Sequence, residues 1–350
     1  MEYYSCPMIE QMFLTFNGRI DTSEKPVTLC CENIENIPRF SLAETPEETL
    51  KNFLAGRDFI IAEGKKLAAI PASPIDRREG EGVFTSGCRK CFHYQKQKWN
   101  SDDLIHFVNL SMYPAPCQCR CIYCGIRNQK NNEETAKSYE RLFSTIELAK
   151  ELGLIAPDAI WQVSSGEITI HPYKERIINL VQGQAAVFLT NCFKFDEQIS
   201  QNLHDNPKSS INLSIDAGTP QTWHKVKGVD NFEEVMGNLV KYYQKSARDG
   251  QITLKYIVLP GINDTWEDYS SLMEIIRILK VSCLELSRDT ANLYTMCPEE
   301  RITLSSALAY LIALCKKNGV QYGHFYFTPE EQSYAEKLAD EILQRGLFPG

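Results

Sequence analysis

From residue 104 onward the chain repeats one pattern: a short apolar run, then a longer stretch with apolar residues three and four apart. Strands are expected at His106–Ser111, Ala159–Ser164, Ala185–Thr190, Ser210–Asp216, Ile252–Leu259 and Ser282–Ser287. Helices are expected between them, including Glu133–Leu152, Lys174–Val181, Phe232–Lys245, Trp266–Leu279 and Leu304–Lys316. Strands separated by helices of this length pair in parallel, through right-handed crossovers. No Gly-rich dinucleotide fingerprint follows the first strand, so the six units fit a partial (β/α)6 barrel better than a doubly wound sheet. The expected fold class is therefore α/β, with a barrel core over residues 104–290. A last strand, Gln321–Phe327, and a helix, Glu330–Arg345, belong to an extension over 291–350 that packs on the barrel.

Residues 1–100 read differently, as a small, irregular α+β domain containing cysteines. Phe13–Ile20 suggests a β-hairpin with Asn17-Gly18 at its bend, and Val27–Cys31 a short strand. Thr45–Ala55 has helical spacing, with Thr45 as N-cap and Pro46 in the first turn. The prolines, glycines and charges of residues 68–82 mark a loop.

At 350 residues the chain is long enough to bury about three quarters of its unfolded surface. A net charge of -8 argues against nucleic acid as the main partner, since neutralising phosphates needs a basic surface. No apolar run approaches the ~18 residues of a membrane span, so no membrane partner is expected. Met-Glu-Tyr-Tyr-Ser-Cys lacks a basic region followed by an apolar core, so no signal peptide is read and a cytoplasmic location is expected. In that reducing setting, 13 cysteines point to metal or redox chemistry rather than disulfides.

Four of those cysteines fall within eight residues, Cys-Gln-Cys-Arg-Cys-Ile-Tyr-Cys from Cys117 to Cys124. Cys117, Cys121 and Cys124 have the spacing C-x3-C-x2-C, which lets a short loop present three thiolates to one iron–sulfur cluster. A cubane held by three cysteines keeps one iron open to a chelating molecule, which suits an enzyme better than an electron carrier. Cys119 is either a passenger or a competing ligand, and the passenger reading is preferred.

A second set comprises Cys6, one of Cys30 and Cys31, and the Cys88-x2-Cys91 knuckle in Ser-Gly-Cys-Arg-Lys-Cys. Four such thiols serve zinc as well as iron–sulfur, and the neighbouring cluster motif favours iron. Further polar residues collect where the barrel strands end, the rim that carries chemistry in parallel barrels. Ser164-Ser165-Gly166-Glu167, Thr190-Asn191-Cys192, the alternating Asn212, Ser214 and Asp216, then Lys255, then Glu285, Ser287, Arg288 and Asp289 fall there. They suit a ligand with amine, carboxylate and hydroxyl groups, or they merely cap the helices that follow.

Taken together, the loop and the order of these motifs resemble the radical S-adenosylmethionine (radical SAM) superfamily over about residues 104–290. The resemblance implies that Cys117, Cys121 and Cys124 hold a [4Fe–4S] cluster whose open iron chelates SAM. Gly166 and Glu167 match the segment that receives the SAM amine, with Ser165 where the family has its first glycine. Ser214 and Asp216 match the ribose positions, Lys255 is the candidate for the SAM carboxylate, and Leu259 and Tyr123 are the candidates for seating adenine. The implied chemistry is reductive cleavage of SAM to a 5′-deoxyadenosyl radical that takes hydrogen from a substrate, fed by a donor such as flavodoxin or ferredoxin.

The N-terminal cysteines resemble a SPASM or twitch module, which implies a second, auxiliary [4Fe–4S] cluster on Cys6, Cys30 or Cys31, Cys88 and Cys91. Such enzymes act mostly on peptides and some on sugars, so a peptide or small-molecule substrate is expected. Epimerisation needs an opposing hydrogen-atom donor, and Cys192 and Cys297 are the candidates; each also reads as a small buried hydrophobe. Two further classes stay open: an activating enzyme acting on a partner protein, and a non-catalytic iron–sulfur or zinc protein. The Glu167, Ser214 and Asp216 set disfavours the last, which has no need of a ribose-binding face.

Overall fold

The computed structural model describes residues 2–19, 25–30, 39–69, 88, 91, 93–125, 132–164, 166–289 and 297–348. Cys31, Ser165, most of the expected loop at 68–82 and the stretch 290–296 lie outside them. Two compact units emerge, the first from Met1–Ala115, Gln129–Ser165 and Asn179–Ala185, the second from Pro116–Asn128, Gly166–Ile178 and Ala186–Gly350.

In the first unit β1 (Glu2–Ser5), α1 (Pro7–Glu10), β2 (Phe13–Arg19), β3 (Val27–Thr28), β4 (Arg39–Phe40), α2 (Pro46–Ala69) and β5 (Gln95–Lys98) precede β6 (Ile105–Tyr113), α3 (Glu133–Glu151) and β7 (Ile155–Val163). The expected hairpin at Asn17-Gly18 does not form. β2 runs straight through it and pairs in parallel with β6, Phe13 opposite Phe107 and Arg19 opposite Tyr113. Parallel pairing with a nine-residue apolar strand outweighs the local turn preference, and Gly18 meets the turn signal only in its φ of 113°. Through β2 the first hundred residues share a sheet with β6. β3 and β4 complete that edge with antiparallel pairing.

Helix α2 extends well past the expected end at Ala55 and lies on β1. A Cβ added at Gly64 would stand 1.9 Å from the Tyr4 carbonyl oxygen, so glycine permits this approach. Arg57, 4% exposed on the same helix, donates from Nε to the Ile9 carbonyl at 3.0 Å and from Nη1 to Asp103 at 2.8 Å. It ties α2 to α1 and to the stretch before β6.

The chain continues through α4 (Lys174–Val181), β8 (Ala185–Leu189), α5 (Glu197–Asp205), β9 (Ser210–Ser214), α6 (Pro220–Lys227), α7 (Phe232–Lys245), β10 (Ile252–Val258), α8 (Trp266–Ile278), β11 (Cys283–Arg288), α9 (Pro298–Asn318), β12 (Gln321–Phe325) and α10 (Pro329–Arg345). In the second unit β8, β9, β10, β11 and β12 pair in that order, all parallel. The α/β class with a mostly parallel sheet is as expected. β12 extends the run beyond the sixth expected strand, so residues 291–350 contribute to the sheet as well as covering it. Burial alternates along these strands. Ile211, Leu213, Leu254, Tyr256, Leu284 and Leu286 are fully buried, while Asn212, Ser214, Thr253, Lys255, Cys283 and Glu285 on the other face are half-buried. That second face is polar and partly open.

Two outcomes follow from this packing. Gly64→Ala should cost about 1–3 kcal/mol, because the new methyl must push α2 from β1, and chemical denaturation will measure it. His171, buried after the short 3-10 turn Ile168–Ile170, accepts from the Tyr173 N–H at 3.2 Å through Nδ1, and burial lowers its pKa to about 4. The unfolded chain therefore binds more protons between about pH 6.5 and 4, so folding stability falls as pH drops through that window. His171→Gln should flatten this slope in thermal melts recorded against pH.

Candidate active site

The thiol-rich loop from Pro116 to Asn128 belongs to the second unit. It is held by backbone at its start and near its middle. Near its start, the Glu167 N–H donates to the Pro116 carbonyl at 2.7 Å; further along, Arg120 and Ile122 donate to the carbonyls of Lys227 and Val226 at 2.8 and 3.0 Å. Those carbonyls end α6, where Gly228 caps the helix with φ 70°. A Cβ at Gly228 would lie 3.0 Å from the Arg120 Cβ, so both its handedness and its closeness to the loop require glycine.

Within the loop Cys117 is exposed, Cys121 and Cys124 are half-buried and Cys119 is buried. The Cys119 thiol hydrogen-bonds both Cys117 and Cys121. This contact is the largest cause that holds Cys121 down to about 6, with burial opposing it and the Lys227 charge assisting, and it also lowers Cys117. Cys119 itself is raised, first by those same hydrogen bonds. The lowered thiols are thus two members of the C-x3-C-x2-C set and not the spare.

Around the loop the strand ends converge. Gly166 takes φ 54°, and Glu167 after it is fully buried. Its Oε1 accepts from the Thr169 N–H at 3.0 Å, the Thr169 hydroxyl at 2.7 Å and the Thr190 hydroxyl at 2.9 Å; its Oε2 accepts from the Asn191 N–H at 2.6 Å. Burial raises the Glu167 pKa in spite of these donors. Asn191 reaches the loop as well, its Nδ2 lying 3.1 Å from Gln118 Oε1 and 3.6 Å from Cys117 Sγ.

On the other side Asp216, wholly buried with φ 49°, accepts from Lys227 Nζ and from the Tyr123 hydroxyl at 2.5 Å each through Oδ2, and from the Ile257 N–H at 2.6 Å through Oδ1. Its carboxylate is therefore engaged inside the protein. Ser214, the other ribose candidate, lies opposite Lys255, and Lys255 lies opposite Glu285. The Lys255 ammonium sits 5.9 and 5.7 Å from the ring centres of Phe325 and Tyr326. Tyr123 packs with Leu259, Val226, Ile257 and Ile262, so the two residues expected to seat adenine share one apolar patch.

The two cysteines expected as hydrogen donors diverge. Cys192 is fully buried, and burial followed by the Glu167 charge pushes its thiol well up. Cys297 is exposed at the start of α9, its N–H donating to Glu300 at 2.9 Å. Thr190 and Asn191 were read from sequence as rim residues without a role, and Lys227 was not singled out at all. Asn191 follows an expected strand end, a usable signal, whereas Lys227 lies on a helix that the sequence reading did not specify.

In the first unit Cys6, Cys30, Cys88 and Cys91 influence one another electrostatically. Burial raises Cys6 to about 12 and Cys88 to about 11, with Cys88 and Cys91 adding to the first and Cys30 and Cys91 to the second. The Cys91 N–H donates to the Cys88 carbonyl at 2.9 Å, closing the knuckle. Among the described residues no three His, Cys, Asp or Glu side chains already surround a point that would hold a single metal ion.

The loop fits a [4Fe–4S] cluster by its donor set: three thiols, two of them lowered toward thiolate, on a segment fixed at its backbone. Residues 116–273 match the model of the Radical SAM superfamily. Among curated proteins, the probable GTP 3′,8-cyclase of Thermococcus kodakarensis is 23% identical over 252 residues, 66% of this chain and 75% of that protein. The GTP 3′,8-cyclase of Haemophilus influenzae is 22% identical over 163 residues, 45% of this chain and 47% of that protein. Among solved structures, Streptococcus suis SuiB bound to the precursor peptide SuiA aligns over 88% of this chain and 60% of that one, with 14% identity and a TM-score of 0.49. SuiB bound to S-adenosylmethionine aligns over 64% of this chain and about half, 51%, of that one, with 13% identity and a TM-score of 0.46. The segment that holds the thiol loop, Glu167, Asp216, Lys227 and Lys255 is thus a Radical SAM superfamily domain, and the chain is an enzyme.

Proposed function

We propose that the chain binds its cluster through Cys117, Cys121 and Cys124, seats SAM across the rim of the second unit, and abstracts hydrogen from a peptide or a small metabolite such as a sugar. The observation that carries this reading is the gathering of the lowered thiols Cys117 and Cys121 with Glu167, Asn191 and Tyr123 around one loop. The cluster and SAM together supply one-electron chemistry that amino-acid side chains lack. What the chain itself contributes is binding, orientation and shielding.

Glu167 is the proposed acceptor of the SAM amine. Burial raises its pKa, and a bound ammonium group would favour the carboxylate, with a hydroxyl of Thr169 or Thr190 turning away to free a lone pair. Gly166 lets the backbone approach. Tyr123 and Leu259 offer the adenine an apolar surface. With the Asp216 carboxylate engaged by Lys227 and Tyr123, we assign the ribose contact to Ser214 and a supporting role to Asp216. Lys255, half-buried beside Ser214 and under two aromatic rings, would pair with a carboxylate.

The curated relatives are GTP 3′,8-cyclases by name. Here Lys255 stands opposite Glu285, so this row does not concentrate the positive field that a triphosphate demands. It suits a substrate with a donor for Glu285 and an acceptor for Lys255, as peptides and small polar metabolites have. Of the thiols, Cys297 is the accessible candidate for a hydrogen-atom donor, and Cys192 would need an opening of the rim. In the first unit we propose an auxiliary cluster of SPASM or twitch type on Cys6, Cys88, Cys91 and Cys30 or Cys31. Their mutual electrostatic influence supports it. A flavodoxin or ferredoxin is the proposed electron source.

Anaerobic reconstitution should give about eight irons per chain, and dithionite with SAM should yield 5′-deoxyadenosine. Cys117→Ala, Cys121→Ala and Cys124→Ala combined should abolish that product and leave about four irons. Product formation by the triple variant would overturn the assignment, and zinc in the N-terminal site would remove the auxiliary cluster.

A further inference from the structure

Lys227 is 3% exposed, at the last position of α6, and has four close partners. Its Nζ donates to Asp216 Oδ2 at 2.5 Å and to the Tyr123 hydroxyl at 2.7 Å, and it lies 5.2 and 5.6 Å from the ring centres of Tyr123 and Trp223. Its own carbonyl accepts the Arg120 N–H of the thiol loop. The Tyr123 hydroxyl also hydrogen-bonds the Cys121 thiol, so the ammonium reaches that thiol through one phenolic oxygen.

A buried ammonium is costly to desolvate, and a surface lysine would complement the helix C-terminus equally well. Fold alone therefore gives little reason to bury this one. Apart from the Trp223 ring, what it contacts leads to the loop: Asp216 by way of Tyr123, Tyr123 by sequence, and the Arg120 N–H at its own carbonyl by backbone. Lysine supplies both features needed here, a chain that crosses the apolar patch of Val226 and Tyr123 and a charge at its end.

We propose that Lys227 is a positioning residue for the cluster, its ammonium, braced on Asp216 and Tyr123, holding the loop in ligating shape and stabilising negative charge at the Cys121 corner. This rests on the reading that Cys117, Cys121 and Cys124 hold the cluster. Reduction adds one electron to that cluster, so a cation beside one ligand favours the reduced state and raises the potential. Tyr123 has a single phenolic proton, shared between Asp216 and Cys121, and Lys227 fixes the oxygen by donating to it.

The test is an EPR-monitored redox titration of reconstituted protein, in a background where Cys6, Cys88 and Cys91 are replaced by Ser so that one cluster is observed. Lys227→Met should shift the midpoint to more negative potential, and Lys227→Arg should largely restore it. Since Lys227→Met leaves Asp216 buried without its partner, Lys227→Met with Asp216→Asn removes both charges and keeps the protein foldable. This double variant should show a smaller negative shift, because removing the Asp216 carboxylate offsets part of the lost cation. A double variant with full iron content, an unchanged melting temperature and an unchanged midpoint would overturn the proposal. Failure of the parent background to bind any iron would instead overturn the cluster assignment itself.

Discussion

The buried Lys227–Asp216 ion pair is the contact on which the site depends. Both side chains are out of solvent, 4% and 0% exposed, and separating such a pair by removing one partner costs about 3–5 kcal/mol. Asp216 also takes the Ile257 N–H, and the Asn263 side-chain amide donates to the Asp216 and Ile257 carbonyls at 2.9 and 2.8 Å. One carboxylate therefore links the end of β9, the end of β10, helix α6 and the thiol loop. The positive φ of Asp216 is an expense met by this network, since few other conformations would aim the side chain at Lys227 and the N–H at once.

Glu167 plays the matching part at the other end of the loop. Its backbone N–H anchors Pro116, and its carboxylate gathers Thr169, Thr190 and Asn191. Two buried acids thus bracket a loop whose thiols must be exposed enough to take iron and rigid enough to present it. The rest of the second unit provides the platform: a parallel sheet whose apolar face is buried and whose other face carries Asn212, Ser214, Lys255 and Glu285.

Much of this was legible in the sequence because it depends on periodicity. The strands and helices expected between Glu133 and Ile278 agree with the structure within a few residues, since apolar spacing of two or of three to four sets them directly, while α5 and α6 in that span were not specified. The thiol loop was legible from spacing alone. Long-range electrostatics were not. Asp216 looked like a rim residue because it continues the alternation of Asn212 and Ser214, yet its left-handed backbone turns it inward to Lys227, a lysine at a helix end that local sequence presents as ordinary. The Asn17-Gly18 turn failed for the opposite reason: a strong local signal lost to pairing with β6, which lies some ninety residues away. Position Gly64 also carried no sequence signal, because only the path of β1 beside α2 makes a methyl clash there.

The proposed activity requires that the loop present a cluster with one iron open to the amine and carboxylate of SAM. Electron–nuclear double resonance on the reduced protein, with SAM carrying 15N at the methionyl amine and 17O at the carboxylate, tests this directly. Hyperfine coupling from both labels, lost in Cys121→Ala, is the predicted result. A reduced cluster that shows neither coupling at saturating SAM would contradict it.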